Sequence, residues 1–244
     1  SLIIEEGLSI DTLQTILQSM QKTAAEAGVL IVTGDTKVVD KGKGDGLYIN
    51  TAGIGILETD LTIRPNSIQV GDAVIVSGDL ARHGIAVMLE REGLEFDSDI
   101  QSDCAALSPL VHDLLNANIE IHCLRDLTRG GLASCLNELA KTAKVQINIE
   151  EQQLPINQAV KTACELLGFD PLYVANEGCF ALFLPQEQVS SALNLLKKHT
   201  AGQHAQHIGT VQKSHSQGIL TLSTAMGIIR VLDLLSGEQL PRIC

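Results

Sequence analysis

Apolar residues recur at Leu13, Ile16, Leu17, Met20 and Ala24, the three-and-four spacing that gathers side chains on one helix face. Ser9 supplies an N-cap and Gly28 the residue after the last turn, so the pattern predicts a helix over 9–27. The period then changes. Residues 29–32 are continuously apolar and predict a short strand running into Gly34-Asp35-Thr36-Lys37. Gly42, Gly44 and Gly46 mark a turn, and 47–57 reads as the return strand. This predicts a hairpin with the polar tetrad at one end. Pro65 and Asn66 break the pattern and place a domain boundary there.

Beyond the boundary, strand and helix signals are mixed. A buried strand is predicted at 70–77, and a helix over 82–92 that contains His83-Gly84. Helices follow at 109–115, at 132–143 with Leu132, Leu136, Leu139 and Ala143 on one side, at 158–167 ending on Gly168, and at 189–198. Strands are predicted at 121–124 and 145–149, and apolar stretches at 172–175 and 179–184 flank Asn176-Glu177-Gly178. Residues 206–233 hold short strands separated by Gly and Ser. No steady βαβ alternation exists, which favours the α+β class. The expected organisation is a domain at 1–65, a second at 66–233, and an aperiodic, flexible tail at 234–244.

Composition narrows the partners. Aromatic residues are 2% with no Trp, too few for a base-stacking platform. The formal charge of −12 argues against a nucleic-acid backbone, which needs a basic stripe. No apolar run reaches the length of a membrane span, and the first residues lack the basic and apolar regions of a secretory signal. Six cysteines form no CxxC pair. Five lie in apolar segments and are expected to be buried, which predicts reduced thiols and a cytoplasmic location. The chain opens without Met on Ser1-Leu2-Ile3-Ile4, which reads as the end of a strand. A longer parent with an incomplete N-terminal domain is expected.

Four segments carry candidate chemistry. The sixth cysteine, Cys244, is the last residue, preceded by Pro241-Arg242-Ile243; it reads either as an accident or as a reactive thiol on a mobile arm. Gly34-Asp35-Thr36-Lys37 is either a plain turn or a carboxylate for Mg2+ with a lysine beside phosphate. In Asp126-Leu127-Thr128-Arg129-Gly130-Gly131 a strand meets a helix. Two glycines there bring amide donors close to an anion, Arg129 can clamp phosphate and Asp126 a cation. Capping by Thr128 is the alternative, and it does not need the glycine pair. Glu177, between two apolar stretches, is either a satisfied turn residue or a partly desolvated proton acceptor. His199, His204, His207 and His215 are assigned to a solvated surface.

Taken in order, GDTKVV at 34–39, NTAG at 50–53, D-x-TRGG at 126–131, NEG at 176–178 and the terminal PRIC at 241–244 resemble the HypE family of nickel–iron hydrogenase maturation factors. The resemblance runs the whole length of the chain, and PRIC is its most discriminating element. It implies a two-domain α+β fold shared with aminoimidazole ribonucleotide synthetase and selenophosphate synthetase. The N-terminal domain would pair in a homodimer, with ATP and Mg2+ as cofactors. A HypF-type carbamoyltransferase would place a carboxamide on Cys244. ATP would phosphorylate the amide oxygen, loss of phosphate would leave a thiocyanate, and the cyano group would pass to iron on a HypC–HypD scaffold.

The same resemblance distributes the roles. Glu177 and Lys37 take protons; Asp35 and Asp126 hold Mg2+ and phosphate. Gly34, Thr36, Asn50, Thr128, Arg129, Gly130 and Gly131 line the nucleotide. The family carries a further strand-rich segment ahead of the residue numbered 1 here, with glycines and an acid that also serve ATP, so weak ATP binding is expected. A small-molecule kinase or cyclo-ligase of the same fold, or a catalytically inert piece, are the alternatives.

Overall fold

The structure is a computed structural model that describes residues 1–57, 60–93 and 100–234. It divides into two compact units, Ser1–Thr59 and Asp60–Cys244. Residues 235–244, and Cys244 with them, lie outside the described residues.

In the first unit, Ser9 caps helix α1 (Ile10–Glu26) as its pattern predicts: its side chain accepts from the Thr12 amide at 3.0 Å. Gly28 follows the helix with a φ of 67°. The strands depart from the predicted hairpin. β1 (Leu2–Glu5) runs between β2 (Thr36–Val39) and β3 (Leu47–Ile49), parallel to the first and antiparallel to the second. The expected strand at 29–32 does not form, and Val29, Leu30, Ile31 and Val32 are between 57% and 86% exposed. Residues 50–57 lie outside any strand as well. The cause is pairing rather than propensity. β1 takes inter-strand hydrogen bonds on both sides, and its parallel partner begins inside the tetrad, with Thr36 and Lys37 opposite Leu2 and Ile3. The Glu5 carboxylate accepts from the Gly42 and Gly46 amides and so closes the glycine-rich turn. Those two bonds hold its carboxyl below the usual glutamate range.

The second unit is built on a seven-stranded sheet. Its strands are β4 (Ala73–Val76), β5 (Cys123–Asp126), β6 (Val145–Glu150), β7 (Phe180–Leu184), β8 (Gln206–Ser214), β9 (Ile219–Ser223) and β10 (Ile229–Leu232). The order is β10-β9-β6-β8-β4-β7-β5, antiparallel throughout except where β6 meets β9. β4 and β7 are buried at every position, and their period of two feeds two cores. Val74, Val76, Ala181 and Phe183 face one side with Leu132, Leu136 and Leu139 of α4 (Gly131–Ala143). Ala73, Ile75, Phe180, Leu182 and Leu184 face the other. There they meet Leu110 and Leu114 of α3 (Ser108–Asn116) and Ala192 and Leu196 of α6 (Val189–Leu196). Helices α2 (Arg82–Glu92) and α5 (Gln158–Leu167) enclose a third cluster around Ile85, Val160 and Val174. At about 1.5–3 kcal/mol for each large apolar side chain fully buried, this sheet dominates the stability of the unit.

Two expectations about side chains need correction. Cys123, Cys135, Cys164 and Cys179 are buried, and burial pushes the Cys123 and Cys164 thiols up to about 11 and Cys179 to about 12. Cys104 is exposed instead, because it lies in a loop rather than in a periodic segment. Of the four histidines placed on the surface, only His204 is fully exposed. His199 is half-buried with Nε2 2.8 Å from Asp113 Oδ2, His207 donates from Nε2 to the Gly209 carbonyl at 2.8 Å, and His215 is half-buried. A fifth, His122, is buried between Asp72 (2.8 Å) and Glu120 (3.2 Å).

Candidate active site

The Asp126–Gly131 turn joins β5 to α4. Its path is set by backbone bonds to a second loop: the Leu127 amide donates to Cys179 O (3.1 Å), and the Asn176 amide donates to Leu127 O (3.1 Å). Gly130 and Gly131 both take left-handed backbone, with φ of 76° and 61°. At Gly131 a Cβ would stand 2.6 Å from Val174 O and 2.7 Å from Leu172 O, so only glycine lets the helix start this close to the neighbouring loop. Gly130 is the N-cap of α4, no side chain caps it, and the first turn carries no acid. Thr128 does not cap the helix; its hydroxyl donates to Asp126 Oδ2 at 2.7 Å. A helix end with amide donors and the positive pole of its dipole thus opens beside two glycines.

Around that end, Arg125, Thr128, Arg129, Glu138 and Glu177 line an open cavity of about 450 Å3. Arg125 is committed to carboxylates, with Nη2 3.3 Å from Glu138 and Nε 3.4 Å from Asp126. Arg129 is exposed and makes no ion pair among the described residues. It is the cation available to an anionic ligand. Glu177 is half-buried, and its Oε1 is buried with no hydrogen-bond partner among the described residues. Such an oxygen costs free energy unless something donates to it.

The loop that presents Glu177 is fixed on both sides. Asn176 is 1% exposed; its Oδ1 accepts from the Ala81 amide (2.7 Å) and its Nδ2 donates to Leu127 O and Val174 O. The Glu177 amide donates to Asp103 Oδ1 at 2.9 Å. Sequence reasoning missed Asp103, Asn176 as an anchor, and the loop 102–104, where Ser102 Oγ lies 2.9 Å from His83 Nδ1. The only local signal was the string of small polar residues around Asp103; its bond to Glu177 spans 74 residues and leaves no periodic trace.

Of the residues singled out from the sequence, Asp126, Thr128, Arg129, Gly130, Gly131 and Glu177 come together here. Gly34, Asp35, Thr36, Lys37 and Asn50 belong to the other unit. There the Asp35 side chain accepts from the Thr36 amide (2.9 Å), and the Asp35 carbonyl accepts from the Leu2 amide (2.9 Å). Lys37 is exposed and in register with Ile3, which is opposite Tyr48 on β3. The Asn50 amide donates to Ser1 O (2.9 Å). Among the described residues no group of three or more His, Cys, Asp or Glu is arranged around a metal. No described helix is long and apolar enough to cross a membrane.

Comparisons with known proteins agree with this layout. The family signature of the AIR synthase related protein N-terminal domain matches residues 1–57, and that of the C-terminal domain matches 69–221. The chain is 47% identical over 245 residues to a carbamoyl dehydratase HypE of Rhizobium leguminosarum bv. viciae, covering 100% of this chain and 70% of that protein. It is similar to the crystal structure of hydrogenase maturation protein HypE in complex with ATP, with a TM-score of 0.95 at 43% identity, covering 100% of this chain and 73% of that one. It also resembles a chain in the crystal structure of a HypE–HypF complex, with a TM-score of 0.91 at 42% identity, covering 96% and 76%. The mixed two-domain fold, the turn of paired glycines and the identity along nearly the whole sequence lead to one assignment: the chain belongs to the HypE family of carbamoyl dehydratases.

Proposed function

We propose that the chain dehydrates an S-carboxamide carried by Cys244 to a thiocyanate, using ATP, and so supplies cyanide for hydrogenase assembly. The observation that carries this reading is the cavity at the α4 end, whose lining sets the exposed Arg129 and the Glu177 carboxylate together. The exposed Arg129 and the positive end of α4 fit a phosphate group, and the Glu177 carboxylate in the cavity lining fits an N–H donor. ATP supplies a leaving group, since an amide oxygen departs poorly until it is phosphorylated. The balance is carboxamide plus ATP giving thiocyanate, ADP, phosphate and one proton.

The protein's own residues have three tasks. The helix end and Arg129 hold and neutralise phosphate oxygens, which is most of what phosphoryl transfer needs. Glu177 accepts a proton from the carboxamide nitrogen. Lys37 is assigned the second proton and, with Asp35, Thr36, Gly34 and Asn50, contacts to the nucleotide. Asp126 and Asp35 would be the carboxylates that hold Mg2+, and the ion would supply charge neutralisation for the phosphate. A HypF-type carbamoyltransferase loads Cys244, a HypC–HypD scaffold receives the cyano group, and the protein works as a homodimer in the cytoplasm.

Intact mass spectrometry of the carbamoylated chain tests this directly. On addition of Mg-ATP the chain is expected to lose the mass of one water at the peptide that ends in Cys244, and Cys244→Ala is expected to show no adduct at all. ATP-dependent product from the Cys244→Ala chain would instead place it among small-molecule kinases or cyclo-ligases.

A further inference from the structure

Each residue of the 176–178 turn is fixed by a different means, and Asp103 supplies two of the three. Asn176 is held by its own bonds to Ala81, Leu127 and Val174. The Glu177 amide is held by Asp103 Oδ1 at 2.9 Å. At Gly178 a Cβ would fall 1.7 Å from the Asp103 carbonyl oxygen and 3.2 Å from the Ala105 amide, so the backbone of 103–105 lies directly on that glycine. Asp103 is 6% exposed and its Oδ2 has no partner among the described residues. Its own segment is tied back to α2, with Ser102 Oγ 2.9 Å from His83 Nδ1 and accepting the Cys104 amide at 3.1 Å.

A surface turn needs none of this. Burying a carboxylate that uses only one oxygen is costly, and natural folds keep such arrangements where a side chain must be held in one place. The side chain in question is Glu177, which lines the cavity and whose Oε1 is buried with no partner among the described residues. We propose that Asp103 is the positioning residue for Glu177: it locks the main chain at 177–178 so that the Glu177 carboxylate meets an N–H of the substrate carboxamide. Asp103 touches no substrate. It acts through the Glu177 amide and the Gly178 contact, and it couples the carboxylate to α2 through the 102–104 segment. This inference rests on the reading of Glu177 as proton acceptor given above.

Oδ1 does the positioning, so an asparagine, which keeps an acceptor there, should serve nearly as well. Single-turnover dehydration of the carbamoylated chain is measured for Asp103→Ala, Asp103→Asn and Glu177→Gln, with amide hydrogen exchange at Glu177. Asp103→Ala should lower kcat by about 10- to 100-fold, the scale of a small misplacement of a reacting group, with KM for ATP unchanged and faster exchange at the Glu177 amide. Asp103→Asn should restore kcat and amide protection. Wild-type kcat in Asp103→Ala, or an equal loss in Asp103→Asn, overturns the positioning role. Where Asp103→Ala does not fold, Asp103→Asn decides alone: retained kcat with a protected Glu177 amide supports the role, and loss of either overturns it. Wild-type turnover in Glu177→Gln would remove the acceptor reading itself, whatever Asp103 does.

Discussion

The two units draw on the same apolar alphabet and end differently. In the second, β4 and β7 are buried along their full length and helices cover both faces of the sheet. In the first, no described residue is fully buried; the apolar face of α1 is at best half-covered, and Leu30, Val32, Ile54, Ile56 and Leu57 are more than four-fifths exposed. The difference shows that amphipathic pattern determines which element forms, whereas a core needs facing elements to cover the pattern. Local stability should follow burial.

The largest contrast is expected from cutting equivalent side chains. Phe183→Ala, in the core between β4, β5 and α4, should cost about 3–5 kcal/mol by denaturant unfolding. Leu13→Ala on α1, only half-buried, should cost about 1 kcal/mol or less in this chain. Equal losses would mean that the first unit has a core of its own.

The next effect concerns the site. Gly131→Ala meets both a left-handed backbone and carbonyl oxygens under 3 Å away, and should cost about 1–3 kcal/mol while weakening ATP binding. A glycine of the first unit with open space around it and ordinary φ, such as Gly34, should tolerate alanine without loss of stability.

A smaller, pH-dependent contrast separates His122 from Glu5. The Asp72 and Glu120 carboxylates outweigh the opposing effect of burial and raise the His122 pKa. Its contribution is therefore complete below the unfolded histidine value of about 6.5 and is lost as pH rises through the higher folded value. His122→Gln should flatten stability across that window. The Glu5 carboxyl is lowered, so its clamp is present above the unfolded glutamate value and is released as pH falls through the folded one. Because Glu5 is only half-buried, the smallest effect is expected there, visible as faster amide exchange at Gly42 and Gly46 in Glu5→Gln rather than as a change in unfolding.

What the sequence made legible was local. Helix 158–167 coincides with α5 because its apolar face and the closing Gly168 both lie within the segment itself, and helix 82–92 coincides with α2. The glycine pair at 130–131 was legible for the same reason. The hairpin at 29–57 failed because nothing in those residues announces that β1 will lie between β2 and β3. Asp103 was illegible for a related reason, since its importance comes from one bond to Glu177 across the fold. Apolar runs report propensity; pairing and coverage are decided by distant residues.

The central claim is that Glu177, at the mouth of α4, takes a proton from the carboxamide on Cys244. Single-turnover mass spectrometry of the carbamoylated Glu177→Gln chain with Mg-ATP tests it most directly. The account predicts that the carboxamide adduct persists without loss of water while ATP still binds. Formation of the thiocyanate at the wild-type rate would contradict it.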